Sequence, residues 1–148
     1  SSVPLVTYSA EDAERRIVCY FLKGRLVVVR IALSHEPPLG FEASTREEWE
    51  AMAYSKVMRQ RTALIETLTQ KYGVPMTSPS PAELSVEREV ESPYLSWTWQ
   101  TRTAAIEVLH RARLFVHVDY TSLSDEDSLN DAHQAVAAAD EARRLRDY

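Results

Sequence analysis

Glu107, His117 and Asp119 are the side chains of this 148-residue chain whose types and spacing could do chemistry together. They sit in two segments whose alternation marks a buried face: Ala104, Ile106 and Val108, then Leu114, Val116, Val118 and Tyr120. With Val108 opposite Val116 in an antiparallel pair, Glu107 falls opposite His117 and Asp119 lies two residues along, all on the outward face. A carboxylate beside an imidazole can hold the ring for acid–base work or contribute to a metal site. The plainer alternative is a cross-strand charged pair on a solvated face, worth roughly a few tenths of a kcal/mol. No third strong ligand is fixed nearby, which favours the plainer alternative. Leu109 and Phe115 also point outward beside this group. They could anchor a protein partner, unless the N-terminal segment or a C-terminal helix covers them. His110 falls on the inward face at a strand end, as a turn or core-rim residue.

Other patterns carry less. His35-Glu36-Pro37-Pro38 lacks the second histidine of a zinc helix and the spacing of a PxxP ligand, so it reads as loop. There is no Gly-x-Ser-x-Gly elbow. Cys19, the single cysteine, lies in the apolar run 17–22 as a small buried hydrophobe and can form no internal disulfide. The three glycines, at 24, 40 and 73, build no phosphate-cradling loop. These residues assign no catalytic group, no metal ligand and no cofactor.

The elements that must position such groups follow from periodicity. Val3 to Tyr8 is a short strand, with Pro4 suiting an edge. The runs 16–22 and 25–33 form a hairpin about Lys23-Gly24, where Gly24 supplies a positive φ. A two-residue loop puts Val18, Tyr20, Leu22, Val27, Val29, Ile31 and Leu33 on one face. Ile17, Cys19, Phe21, Leu26 and Val28 then share the other with Arg30. Both faces are apolar, so the hairpin belongs mid-sheet, covered on both sides, or against another chain.

Ser44 and Thr45, each with a glutamate three residues on, open a helix over 45–72. Its stripe is Trp49, Ala53, Val57, Leu64, Leu68 and Tyr72. Gly73 ends it, with Val74 able to touch Leu68 and Pro75 barring continuation. Residues 76–93, rich in proline and glutamate, read as a long and partly mobile loop. Residues 94–122 form a three-stranded meander in which Trp99 faces Ile106 and both tryptophans belong to the core. Ser124 and Asp127 then cap a helix with a thin stripe of Leu129, Ala132, Val136 and Ala139. The fold expected is α+β: an antiparallel sheet of five or six strands packed on one long helix, 45–72, with an Ala-rich C-terminal helix. Residues 1–124 form one domain and 125–148 an acidic helical appendage.

Charge divides along the same line. The chain carries 17 basic and 22 acidic residues for a net of −5. Residues 1–124 hold 14 and 15 of these, whereas 125–148 hold three and seven. An acidic chain without a basic stripe is a poor holder of nucleic acid. No run approaches the roughly 18 apolar residues of a membrane-spanning helix. The chain opens at Ser1 with no charged n-region or apolar h-region, as expected of a mature chain after signal removal or of a trimmed one.

Leu64, Leu68, Lys71-Tyr72-Gly73-Val74-Pro75, Trp97, Trp99, Ile106 and Val118-Asp119-Tyr120-Thr121-Ser122 together resemble a set of small bacterial α+β domains of uncharacterised function. The likeness covers residues 16–122. Those domains have a strand hairpin, a helix ending in a similar Lys-Tyr-Gly-x-Pro segment and a returning meander, and many occur in exported proteins or lipoproteins. The resemblance implies this fold and an envelope location, in the periplasm, with the cytoplasm as alternative. It supplies no catalytic residue. The leading functional expectation is a non-catalytic protein-binding module that engages a protein partner or a second copy, with Leu109, Phe115, Glu107, His117 and Asp119 as candidate contact residues. A cytosolic adaptor, chaperone or toxin-neutralising protein is one alternative. A small hydrolase or metal-dependent enzyme using Glu107, His117 and Asp119 is the other.

Overall fold

The computed structural model describes residues 5–12, 15–36, 40–90 and 93–123, together with Gln134, Ala137, Ala138 and Glu141. Its elements are β1 (Leu5–Glu11), β2 (Arg15–Leu22), β3 (Arg25–Leu33), α1 (Arg46–Tyr72), α2 (Pro81–Val86), β4 (Tyr94–Gln100), β5 (Ala104–Arg111) and β6 (Phe115–Ser122). The strands form one antiparallel sheet of order β1-β2-β3-β6-β5-β4. Two three-stranded meanders therefore meet edge to edge at β3 and β6, with both helices in the connection between them. The α+β class and the long helix agree with the sequence.

Capping sets the limits of α1. Thr45 accepts a hydrogen bond from the Glu48 backbone N–H, and the Glu48 carboxylate accepts from both the N–H and the hydroxyl of Ser44. At the other end Gly73 has φ 90°, and its N–H donates to the Thr69 carbonyl. Val74 does not close on Leu68, being 85 % exposed. The inner side of α1 buries Val57 and Leu68 against Leu95, Trp97 and Trp99 of β4, Ile106 and Val108 of β5, and Val116 and Val118 of β6. The Trp99 indole N–H also donates to the Gly73 carbonyl, tying the helix end to β4.

Three expectations need correction. The meander register differs by two residues: Trp99 does face Ile106, but Val108 faces Val118, not Val116. Each large apolar side chain keeps its face under a two-residue shift, so alternation alone could not separate the two pairings. In the first hairpin a bulge lies between the pairs Phe21↔Leu26 and Tyr20↔Val28, leaving Val27 as the extra residue. The bulge moves Val28 to the face of Val18 and Tyr20, and Val29 and Ile31 to that of Cys19 and Ile17. Lys23 joins Gly24 in positive φ at the turn, at 53° and 75°. Finally, 76–93 is no plain loop. Thr77 bridges to Thr98 of β4, and a reciprocal Ser80–Glu83 capping box with Pro81 opens α2.

The two faces of the sheet are filled differently. Opposite α1, the residues Val18, Tyr20, Leu22, Val27 and Val28 form a second buried cluster. On the α1 side, the core ends before β1. There Val6, Phe21 and Leu26 make one cross-strand row and Tyr8 with Cys19 the next. Val6, Tyr8 and Leu26 are 52 %, 67 % and 46 % exposed. Of the expected C-terminal helix, Gln134, Ala137, Ala138 and Glu141 are helical and exposed, whereas Leu129, Ala132, Val136 and Ala139 lie outside the described residues.

Candidate functional site

The outward residues of β5 and β6 form a polar row on the face away from α1. Because of the register, Glu107 stands opposite Asp119, and His117 stands opposite Leu109 instead of Glu107. On the other side of β6, Asp119 faces Arg30 of β3. The Arg30 guanidinium donates twice, Nε to Oδ1 at 2.8 Å and Nη2 to Oδ2 at 3.0 Å. Glu107 accepts from the Ser96 hydroxyl at 2.8 Å, and His117 Nε2 lies 3.7 Å from Asp119 Oδ2. Arg30, Glu107 and Asp119 line a cavity of about 440 Å³ with Thr98, Thr121 and Ala137. Ala137, which is helical, lies beside this face.

The charged group does not lie on the fully solvated face expected of it, whereas Leu109 is covered, as the alternative to partner binding expects. His117 and Leu109 are buried, and only Phe115 is well exposed. Phe115 packs edge-on against His35, which packs in turn on Trp49. His35 is thus an aromatic spacer between β6 and the start of α1. Chemically, the row is neutralised. Asp119 commits both oxygens to the Arg30 guanidinium and leaves His117 Nε2 at 3.7 Å, beyond hydrogen-bond distance. Among the described residues no three His, Cys, Asp or Glu side chains come together as metal ligands.

A second polar constellation joins residues far apart in sequence. Arg61 of α1 occupies a core position of the helix stripe, between Val57 and Leu68, and is buried. Its Nη1 and Nη2 donate to Glu87 Oε2 and Oε1 at 2.8 and 3.0 Å. Nη1 also lies 2.8 Å from His110 Nδ1, and the guanidinium sits 5.0 Å from the Trp97 ring centroid. An arginine cannot accept, so His110 Nδ1 must be the acceptor and the proton rests on Nε2, which donates to the Arg113 carbonyl at 2.6 Å. Burial holds the His110 pKa below its ordinary value, and the Arg61 charge lowers it further. The hydrogen bond from Arg61 lowers that of Glu87, against the opposing effect of burial.

The network fastens three elements: α1, the turn after α2, and the β5–β6 turn. In that last turn Ala112 and Arg113 take φ 51° and 67°. The left-handed region costs non-glycine residues about 1–2 kcal/mol each. The sequence reading missed this network because 61, 87 and 110 form no motif. One signal was available: an arginine at position 61, where the stripe requires an apolar residue.

A third feature is the open side of the first meander. β1 is an edge strand exposed along Val6–Glu11, with the Tyr8 and Phe21 rings in edge contact at 5.5 Å. Among the described residues β1 has one strand neighbour, and its segment 5–10 carries no charge. No helix among the described residues is long and apolar enough to cross a membrane. Compared with protein-family models, with curated proteins and with solved structures, the chain matches none of them.

Proposed function

We propose that this chain is a non-catalytic protein-binding module acting through the open half of its sheet. The observation that carries the reading is the exposure of Val6, Tyr8 and Leu26 beside Phe21, along an edge strand that carries no charge between 5 and 10. Covering such a row recovers roughly 25 cal/mol per Å² of apolar surface. Soluble proteins usually blunt an edge of this kind with charge, proline or a bulge, and β1 has none of these between 5 and 10. Antiparallel pairing of β1 with its counterpart in a second copy is self-complementary. A two-fold axis near Tyr8 keeps Val6 and Ala10 of both copies on one face and holds the two Glu11 ends apart.

Sedimentation velocity of the full chain, with capture from the native cell, tests this. Reversible association or a retained partner is expected, and either is lost in the Val6→Glu/Tyr8→Lys variant. A chain that stays monomeric at every concentration and retains no partner contradicts the reading. The resemblance to exported bacterial domains extends the proposal to the cell envelope. Fractionation of the native cell separates that location from a cytosolic adaptor, chaperone or toxin-neutralising role. A hydrolytic role for Glu107, His117 and Asp119 is weakened by the Arg30–Asp119 pair.

A further inference from the structure

The outer flank of α1 carries a groove lined by three arginines in a chain that is acidic overall. A groove of about 770 Å³ follows the helix from Ala51 to Glu66, roughly 22 Å at the rise of an α-helix. Arg88, just after α2, and Arg113, in the β5–β6 turn, wall it, and Arg59 of α1 lies within it. The guanidiniums of Arg88 and Arg113 sit 6.0 and 5.0 Å from the centroid of the Tyr54 ring. All three arginines are exposed, and none makes an ion pair among the described residues. Three exposed cations thus converge on one groove, with Glu66 the one acidic side chain in its lining, in a chain of net charge −5.

The cations are placed from beneath. Glu87, the residue before Arg88, is fixed by two hydrogen bonds from Arg61. The backbone of Arg113 is held in a left-handed conformation with its carbonyl on His110 Nε2. One buried network therefore sets both arginine-bearing turns, and stacking on Tyr54 orients their forks before any ligand arrives. Along the helix, small Ala51, Ser55 and Ala63 allow close approach of a second backbone, and Met58 offers an apolar contact.

We infer that this groove binds an acidic segment of a partner protein, its carboxylates on Arg59, Arg88 and Arg113 and its apolar side on Met58. Guanidiniums match carboxylates as planar forks. The length of the groove suits a few turns of helix better than a single small anion, and Glu66 marks the end from which acid is repelled. The inference is independent of the β1 edge, which lies at the far side of the sheet.

NMR titration of the full-length chain tests it. The probe is a labelled helical peptide of about four turns, bearing Glu at helical spacing with Ala and Leu between. Controls are the same peptide with Lys for Glu, and inorganic phosphate. Expected are saturable shifts of the Arg59, Arg88 and Arg113 Nε–Hε signals and of the Tyr54 ring. Affinity should fall with salt, and about tenfold in Arg88→Ala/Arg113→Ala, as for two lost surface ion pairs. Both side chains are exposed and the Arg113 carbonyl is retained, so the fold is preserved in the double variant. β1-dependent association should be unchanged in it. Shifts confined to other surfaces, equal binding by the double variant, or equal binding of the Lys peptide would overturn the inference. So would phosphate shifting the arginine signals while the Glu peptide does not.

Discussion

The two meanders of the sheet have the same topology and end in opposite states. In β4–β5–β6 the large inward side chains Leu95, Trp97, Trp99, Ile106, Val108, Val116 and Val118 are buried with Val57 and Leu68 of α1, and the edge strand β4 is tied to the helix end through Trp99. In β1–β2–β3 the same face runs out from under the helix, and Val6, Tyr8 and Leu26 remain in water. Both halves obey the period-2 pattern. The difference lies in what the one long helix can span. On the α1 side one meander is buried and the other leaves Val6, Tyr8 and Leu26 exposed, although its opposite face buries Val18, Tyr20 and Leu22.

The largest test of that division compares deletions across it. Trp97→Ala, beneath Arg61, should lower the free energy of unfolding by about 3–5 kcal/mol. Phe21→Ala on the open half should cost about 1 kcal/mol or less. Urea unfolding followed by circular dichroism measures both, and equal losses would abolish the distinction. Arg61→Ala should cost about 3 kcal/mol, because it leaves Glu87 buried and unpaired. Arg61→Met/Glu87→Leu should recover most of that loss.

A smaller effect comes from pH. The folded pKa of His110 lies below its ordinary 6.5, so its contribution is complete above 6.5 and declines as pH falls further. Glu87, lowered from 4.5, contributes above 4.5 and is lost as pH falls through its folded value. Both act in one direction. Unfolding free energy should drop in two stages on acidification, and His110→Gln should remove the upper stage. Smallest of all is Tyr20→Phe. The buried Tyr20 hydroxyl has no hydrogen-bond partner among the described residues, so its removal should leave stability unchanged or raise it by about 1 kcal/mol.

Local chemistry was the legible part of this sequence. Thr45 with Glu48, Gly73, and the alternation through Trp97, Trp99, Ile106 and Val118 each act over a few residues and determine helix limits and strand faces. Features that depend on which distant residues meet were not legible. The bulge at Val27 and the two-residue register of β5 on β6 leave every apolar face satisfied either way, so hydrophobic patterning does not distinguish them. The burial of Leu109 and His117 depends on what covers the second face, which no strand pattern states. The Arg61–Glu87–His110 network joins three elements, and only the misfit arginine in the α1 stripe hints at it. Ser80-Pro81-Ala82-Glu83 did carry the signature of a helix start, obscured by the prolines on either side.

The open half of the sheet is tested most directly by sedimentation velocity and partner capture with the full chain and its Val6→Glu/Tyr8→Lys variant. Both substitutions lie on exposed positions and should change stability by no more than about 0.5 kcal/mol. The expected result is reversible self-association or a retained partner in the native chain, absent from the variant at equal stability. A native chain that is monomeric and retains nothing, or a variant that associates equally well, would contradict the proposed role of the β1–β2 surface.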